Sequence, residues 1–135
     1  MTTSDDELDQ GATIHVQPAL KRAIVTWAPG VPVFVPWMSA IESLLADPEF
    51  HPEFAVISDW RKATGAPDQA FVDAFLVFCQ SIRRARQLTG RWAIVVATDL
   101  DSGLGVGRSA ELQAAEGADA RVFKSLDDAF TWVAS

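Results

Sequence analysis

The chain has 135 residues, 49% of them hydrophobic and 21% charged, with a formal charge of -7. That composition suits one globular domain with a real core, and no apolar run approaches the roughly 18 residues that suggest a membrane span. The acidic balance weighs against nucleic acid and anionic lipid surfaces as partners, and a single cysteine excludes an intramolecular disulfide.

Residues 1–11, Met-Thr-Thr-Ser-Asp-Asp-Glu-Leu-Asp-Gln-Gly, are acidic and lack the basic-then-apolar order of a signal peptide. They read as a solvated tail on a cytoplasmic protein, with one domain over 12–135. Thr13 to Gln17 alternates as a strand, and Pro18-Ala19 breaks it. Leu20 to Ala28 is a second strand, and the short connection favours an antiparallel hairpin. Pro36 suits the first turn of a helix carrying Trp37, Ile41, Leu44 and Leu45, which ends before Asp47-Pro48. Residues 47–54 form a stiff connector with Pro-Glu-Phe written twice.

Phe54 to Trp60 is a third strand that stops at an acid, Asp59. A loop follows, then a long helix from Pro67-Asp68 to about residue 87, with Phe71, Phe75, Phe78 and Ile82 as its inward stripe and Val72, Leu76 and Cys79 widening it. Thr89-Gly90 is the expected stop. Arg91 to Thr98 is nearly all apolar, as a central parallel strand covered on both faces should be. Asp99 to Gly107 is a glycine-rich loop, Arg108 to Glu116 a modest helix and Ala120 to Lys124 a fifth strand. Ser125 caps a closing helix, Asp127 and Asp128 favour its positive end, and Leu126, Ala129, Phe130 and Val133 face inward. The order β-β-α-β-α-β-α-β-α implies an α/β fold: a five-stranded, mostly parallel sheet with one antiparallel strand.

In this order the pieces resemble the SpoIIAA-like family, relatives of the STAS domains of anti-sigma-factor antagonists. The resemblance rests on the hairpin, the proline-phenylalanine loop, Val56-Ile57-Ser58-Asp59, Trp92-Ala93-Ile94-Val95-Val96, and Arg121-Val122-Phe123 followed by Ser125 to Trp132. It spans roughly residues 12 to 134 and implies sequential strand order and a non-catalytic regulatory or protein-interaction module, in a family of mostly small bacterial proteins. In the antagonists a serine or threonine after the third strand accepts a phosphate. Here only Thr64-Gly65 matches that place, without the preceding acid. Asp101-Ser102-Gly103-Leu104-Gly105 is spelled more like the motif but falls one β-α unit too late.

The residues offer further candidates. Asp59, at the carboxyl end of a parallel strand, lies where open α/β sheets bind ligands, with Arg61 close by. The structural alternative is a loop-anchoring carboxylate paired with backbone or with Arg61. Gly103, Gly105 and Gly107 alternate between a strand and a helix, and with Arg108 they can present N–H groups and charge to a phosphate or nucleotide; the other reading is a surface loop. The spacing is not the dinucleotide fingerprint. Arg83, Arg84, Arg86 and Arg91 gather at the end of the long helix, where cations suit the dipole. No histidine, cysteine and acid cluster has metal-ligand spacing, no cofactor motif is present and no nucleophile elbow exists, so neither metal, cofactor nor catalysis is expected. Cys79 reads as a buried thiol.

Five tryptophans and eight phenylalanines are many for this core. If all helices pack on one sheet face, the other exposes apolar side chains, which points to a homodimer interface or a groove for a small apolar or amphipathic ligand. Core packing on both faces is the alternative.

Overall fold

The computed structural model describes residues 12–30, 34–62, 69–96 and 120–135. Strands β1 (Ala12–Gln17), β2 (Arg22–Trp27), β3 (Ala55–Asp59), β4 (Trp92–Val95) and β5 (Ala120–Phe123) form one sheet in sequential order. β1 and β2 pair antiparallel, Ile14 opposite Val25, and every later neighbour is parallel. Helices α1 (Phe34–Ala46), α2 (Gln69–Arg86) and α3 (Leu126–Ala134) complete the described elements. The α/β class and the mixed sheet expected from the sequence are present.

The hairpin turns through a single 3-10 turn at Pro18–Leu20, closed by Lys21 in the left-handed region with φ 54°. Lys21 donates its backbone N–H to the Pro18 carbonyl, so the second strand starts two residues later than its apolar run suggests. β3 and β4 are buried at every position, as strands covered on both faces must be.

One layer of the core lies under α1 and α2. Ala23, Val25 and Trp27 of β2 and Val56 of β3 meet Trp37, Ile41 and Leu44 of α1 and Phe71 and Cys79 of α2. Trp37 stands edge-on to both Phe71 and Phe78, which ties the two helices together. The other layer lies under α3, where Ile57, Ala93 and Val95 pack with Ala129, flanked by Phe123, Leu126, Phe130 and Val133. The expected inward face of the closing helix is therefore correct, and Ser125 caps it by accepting the Asp128 N–H at 3.3 Å.

The expected free apolar sheet face is not there, because α3 covers it over β3, β4 and β5. Beyond α3, β1 presents exposed Thr13 and His15 and half-buried Gln17. Trp27, Trp37, Trp60 and Trp92 are buried and Trp132 is half-buried, so four of the five tryptophans are spent on core packing. The sheet-face argument for a dimer or an apolar groove falls with that face.

The stop of α2 also differs. Gln87, not a glycine, takes the left-handed position with φ 55°, and Leu88 donates to the Arg83 carbonyl in the pattern of a Schellman end. Gly90 serves another purpose. A Cβ there would fall on the Phe54 carbonyl oxygen and lie 2.9 Å from the Glu53 oxygen, so only glycine lets the 52–54 loop close on this segment.

Candidate functional site

The carboxyl ends of β2 and β3 bring together Trp27, Asp59, Trp60 and Arg61. Asp59 closes β3 opposite Thr26 and Val95, and the Trp60 N–H carries the ladder one bond further, to the Val95 carbonyl at 2.7 Å. Side chains alternate along a strand, so Asp59 shares the α3 face with Ile57, while Trp60 shares the opposite face with Val56.

Asp59 is 6% exposed, yet it is well satisfied. One carboxyl oxygen accepts the Arg61 backbone N–H at 3.1 Å and Nε at 2.9 Å, and the other accepts Nη2 at 2.8 Å. The geometry is a bidentate fork closed over a two-residue turn, among the stronger arrangements for a carboxylate. Burial pushes the Asp59 carboxyl up. The Arg61 hydrogen bonds and the charges of Arg61 and Lys62 outweigh it, and the carboxyl is held below its ordinary value. Arg61 is raised in turn, first by its bond to Asp59 and against its own burial, with the charges of Asp59 and of Asp127 on α3 adding to it. An anion fixed by three donors is a poor base and has no proton to give near neutral pH. The loop-anchoring reading of Asp59 is the one this geometry matches.

On the opposite face Trp27 stacks on Trp60, centroids 4.7 Å apart, and Trp60 meets Phe71 edge-on. The Trp27 indole N–H is buried and has no hydrogen-bond partner among the described residues. An orphan buried donor costs about 1–3 kcal/mol, so this group is unusual for a native core. Nothing in the sequence distinguishes this tryptophan from the other four. The run Ala23 to Trp27 marks it as a strand residue facing the core, and no more.

Of the remaining candidates, Thr64, Gly103, Gly105, Gly107 and Arg108 lie outside the described residues. The arginine cluster does not form one patch. Arg83, Arg84 and Arg86 end α2 as the dipole argument expects, but Arg83 also lies over the Trp92 ring at 5.6 Å. Arg91 turns away to the end of α3, where Nη1 donates to the Trp132 carbonyl at 2.6 Å. Cys79 is 1% exposed, and burial pushes its thiol up to about 12 against the opposing charge of Arg83, which makes it inert rather than nucleophilic. His15 is exposed, and His51 rests against the Phe54 ring. Among the described residues no three His, Cys, Asp or Glu side chains gather as metal ligands, and no helix is long and apolar enough to cross a membrane. Compared with protein-family models, with curated proteins and with solved structures, the chain finds no match.

Proposed function

We propose that this chain is a non-catalytic regulatory or protein-interaction module of the SpoIIAA/STAS-like kind, acting as a homodimer. The observation that carries the reading is the state of Asp59. Among the described residues, Asp59 is the charged side chain buried at the carboxyl end of the sheet, and it is consumed by a fork to Arg61 and serves the loop. The sequential sheet opened by an antiparallel hairpin supports the same reading. With α3 on the sheet, the contact surface of such a module falls to the helical layer, where Val35 of α1 and Val77 of α2 stand 61% and 62% exposed. A carboxyl-carbon NMR titration of Asp59 tests the premise. A midpoint below the ordinary 3.8 supports it, and a midpoint raised above that value would mark a chemically poised acid and count against it.

A second reading, a carrier or sensor of a small amphipathic ligand, is favoured by one observation. The Trp27 N–H offers a buried donor beside a stacked indole pair, which a ligand carbonyl would satisfy.

A further inference from the structure

The end of the sheet away from Asp59 holds a cavity of about 460 Å³. Leu20 and Lys21 line it from the hairpin turn, Glu53 and Ala55 from the entry to β3, Arg91 from the entry to β4, and Val133 from the last turn of α3. That volume falls within the range of small-molecule sites.

Its walls are tied to one another by hydrogen bonds. The Lys21 carbonyl accepts the Ala55 N–H at 3.1 Å, and the Arg91 carbonyl accepts the Val56 N–H at 2.9 Å. The loop carrying Glu53 is pinned by the Pro52 carbonyl, which accepts from Thr89 at 3.0 Å and Gly90 at 3.3 Å. The helical wall is fixed by Arg91 Nη1, which donates to the Trp132 carbonyl and to the Ser135 hydroxyl at 2.7 Å. A cavity held this way is preformed, so a ligand does not pay to order it.

The chemistry of the lining is two-signed. Among the described residues, neither the Lys21 ammonium nor the Glu53 carboxylate has an ion-pair partner. The rest of the lining mixes polar surface with the aliphatic side chains of Leu20, Ala55 and Val133, and Leu20 is 59% exposed. A plain anion would meet Glu53 and a plain cation would meet Lys21 and Arg91. A ligand bearing both charges satisfies both groups and covers the leucine.

We propose that this cavity binds a small aliphatic zwitterion of the α-amino-acid class, its carboxylate on Lys21, its ammonium on Glu53 and its side chain against Leu20 and Val133. The site is at the other end of the sheet from Asp59 and stands whether or not the chain dimerises.

The test is a ¹⁵N–¹H NMR titration of the full chain with L-leucine. Saturable shifts confined to residues 19–21, 53–55, 91 and 133–134 are expected. Lys21→Gln and Glu53→Gln should each weaken binding about tenfold, and hexanoate and hexylamine, each lacking one charge, should bind at least about tenfold more weakly than leucine. Both side chains are exposed, so the variants keep the fold, which the dispersion of the same spectra verifies. The proposal is overturned by any of three results: no saturation up to about 10 mM leucine, shifts centred elsewhere, or parental affinity in both variants.

Discussion

Gly90→Ala is the sharpest test of how the 52–54 loop is held against the entry to β4. The new Cβ would land on the Phe54 carbonyl, 2.5 Å from its carbon and 2.9 Å from the Glu53 oxygen. All three obstacles are backbone, so no rotamer relieves them. The 52–54 loop must retreat. That breaks the bonds from Thr89 and Gly90 to the Pro52 carbonyl, about 1 kcal/mol each, and lifts Phe54, now 4% exposed, part of the way into water. The alanine returns about 0.4–1 kcal/mol through the unfolded chain. We expect a net loss of about 3 kcal/mol, which for a domain of this size lowers Tm by about 10 °C. Urea unfolding followed by tryptophan fluorescence, with the midpoint read against an unchanged m value, measures it. A variant within about 0.5 kcal/mol of the parent would refute the close-approach argument.

Asp59→Asn removes the charge from the Arg61 fork and one of its three acceptor bonds. Because Arg61 is 45% exposed and rehydrates, the loss at neutral pH should be only about 1–2 kcal/mol. The folded carboxyl lies below its unfolded value. Its contribution is therefore present above the unfolded value, near 3.9, and is lost as pH falls through the folded one. The stability gap between parent and variant should close on acidification, and a gap constant from pH 7 to the acid limit would contradict the pairing. Cys79, its thiol pushed up to about 12, should resist alkylation at pH 8 in the native protein and react once unfolded. Its shift has the opposite sign for stability: the unfolded thiol ionises first, so stability falls above about pH 8.5, and Cys79→Ala should remove that part of the alkaline loss. Ser125→Ala deletes the acceptor for the Asp128 N–H and should cost about 1 kcal/mol in the same unfolding assay.

Elements governed by local rules were legible in the chain. The apolar run Trp92 to Val95 announces a strand buried on both faces, and Ser125 followed by Asp128 announces a capped helix. What was misread depended on contacts distant in sequence. Gly90 resembles a helix stop by composition, but its lack of a side chain is required by Phe54, 36 positions earlier, while Gln87 takes the left-handed turn itself. Whether the second sheet face is covered was left open between two readings for a related reason. Crossover handedness fixes a helix between two parallel strands. It says nothing about α3, which follows β5 without a returning strand, so its face is set by its own stripe meeting Ile57, Ala93 and Val95. At the candidate site, the i, i+2 spacing of Asp59 and Arg61 made the pair readable. The orphan donor of Trp27 and the two-signed cavity beneath the hairpin turn depend on side chains assembled from separate elements, and no local pattern carries them.

The central claim, a module that works by contact with a second copy of itself rather than by chemistry, is tested most directly by native mass spectrometry of freshly purified protein. The account expects a dimer of unmodified chains with no added mass. A monomer, bare or carrying a reproducible small mass, would contradict it, and the retained mass would turn attention to the Trp27 indole and to the cavity beside Lys21 and Glu53.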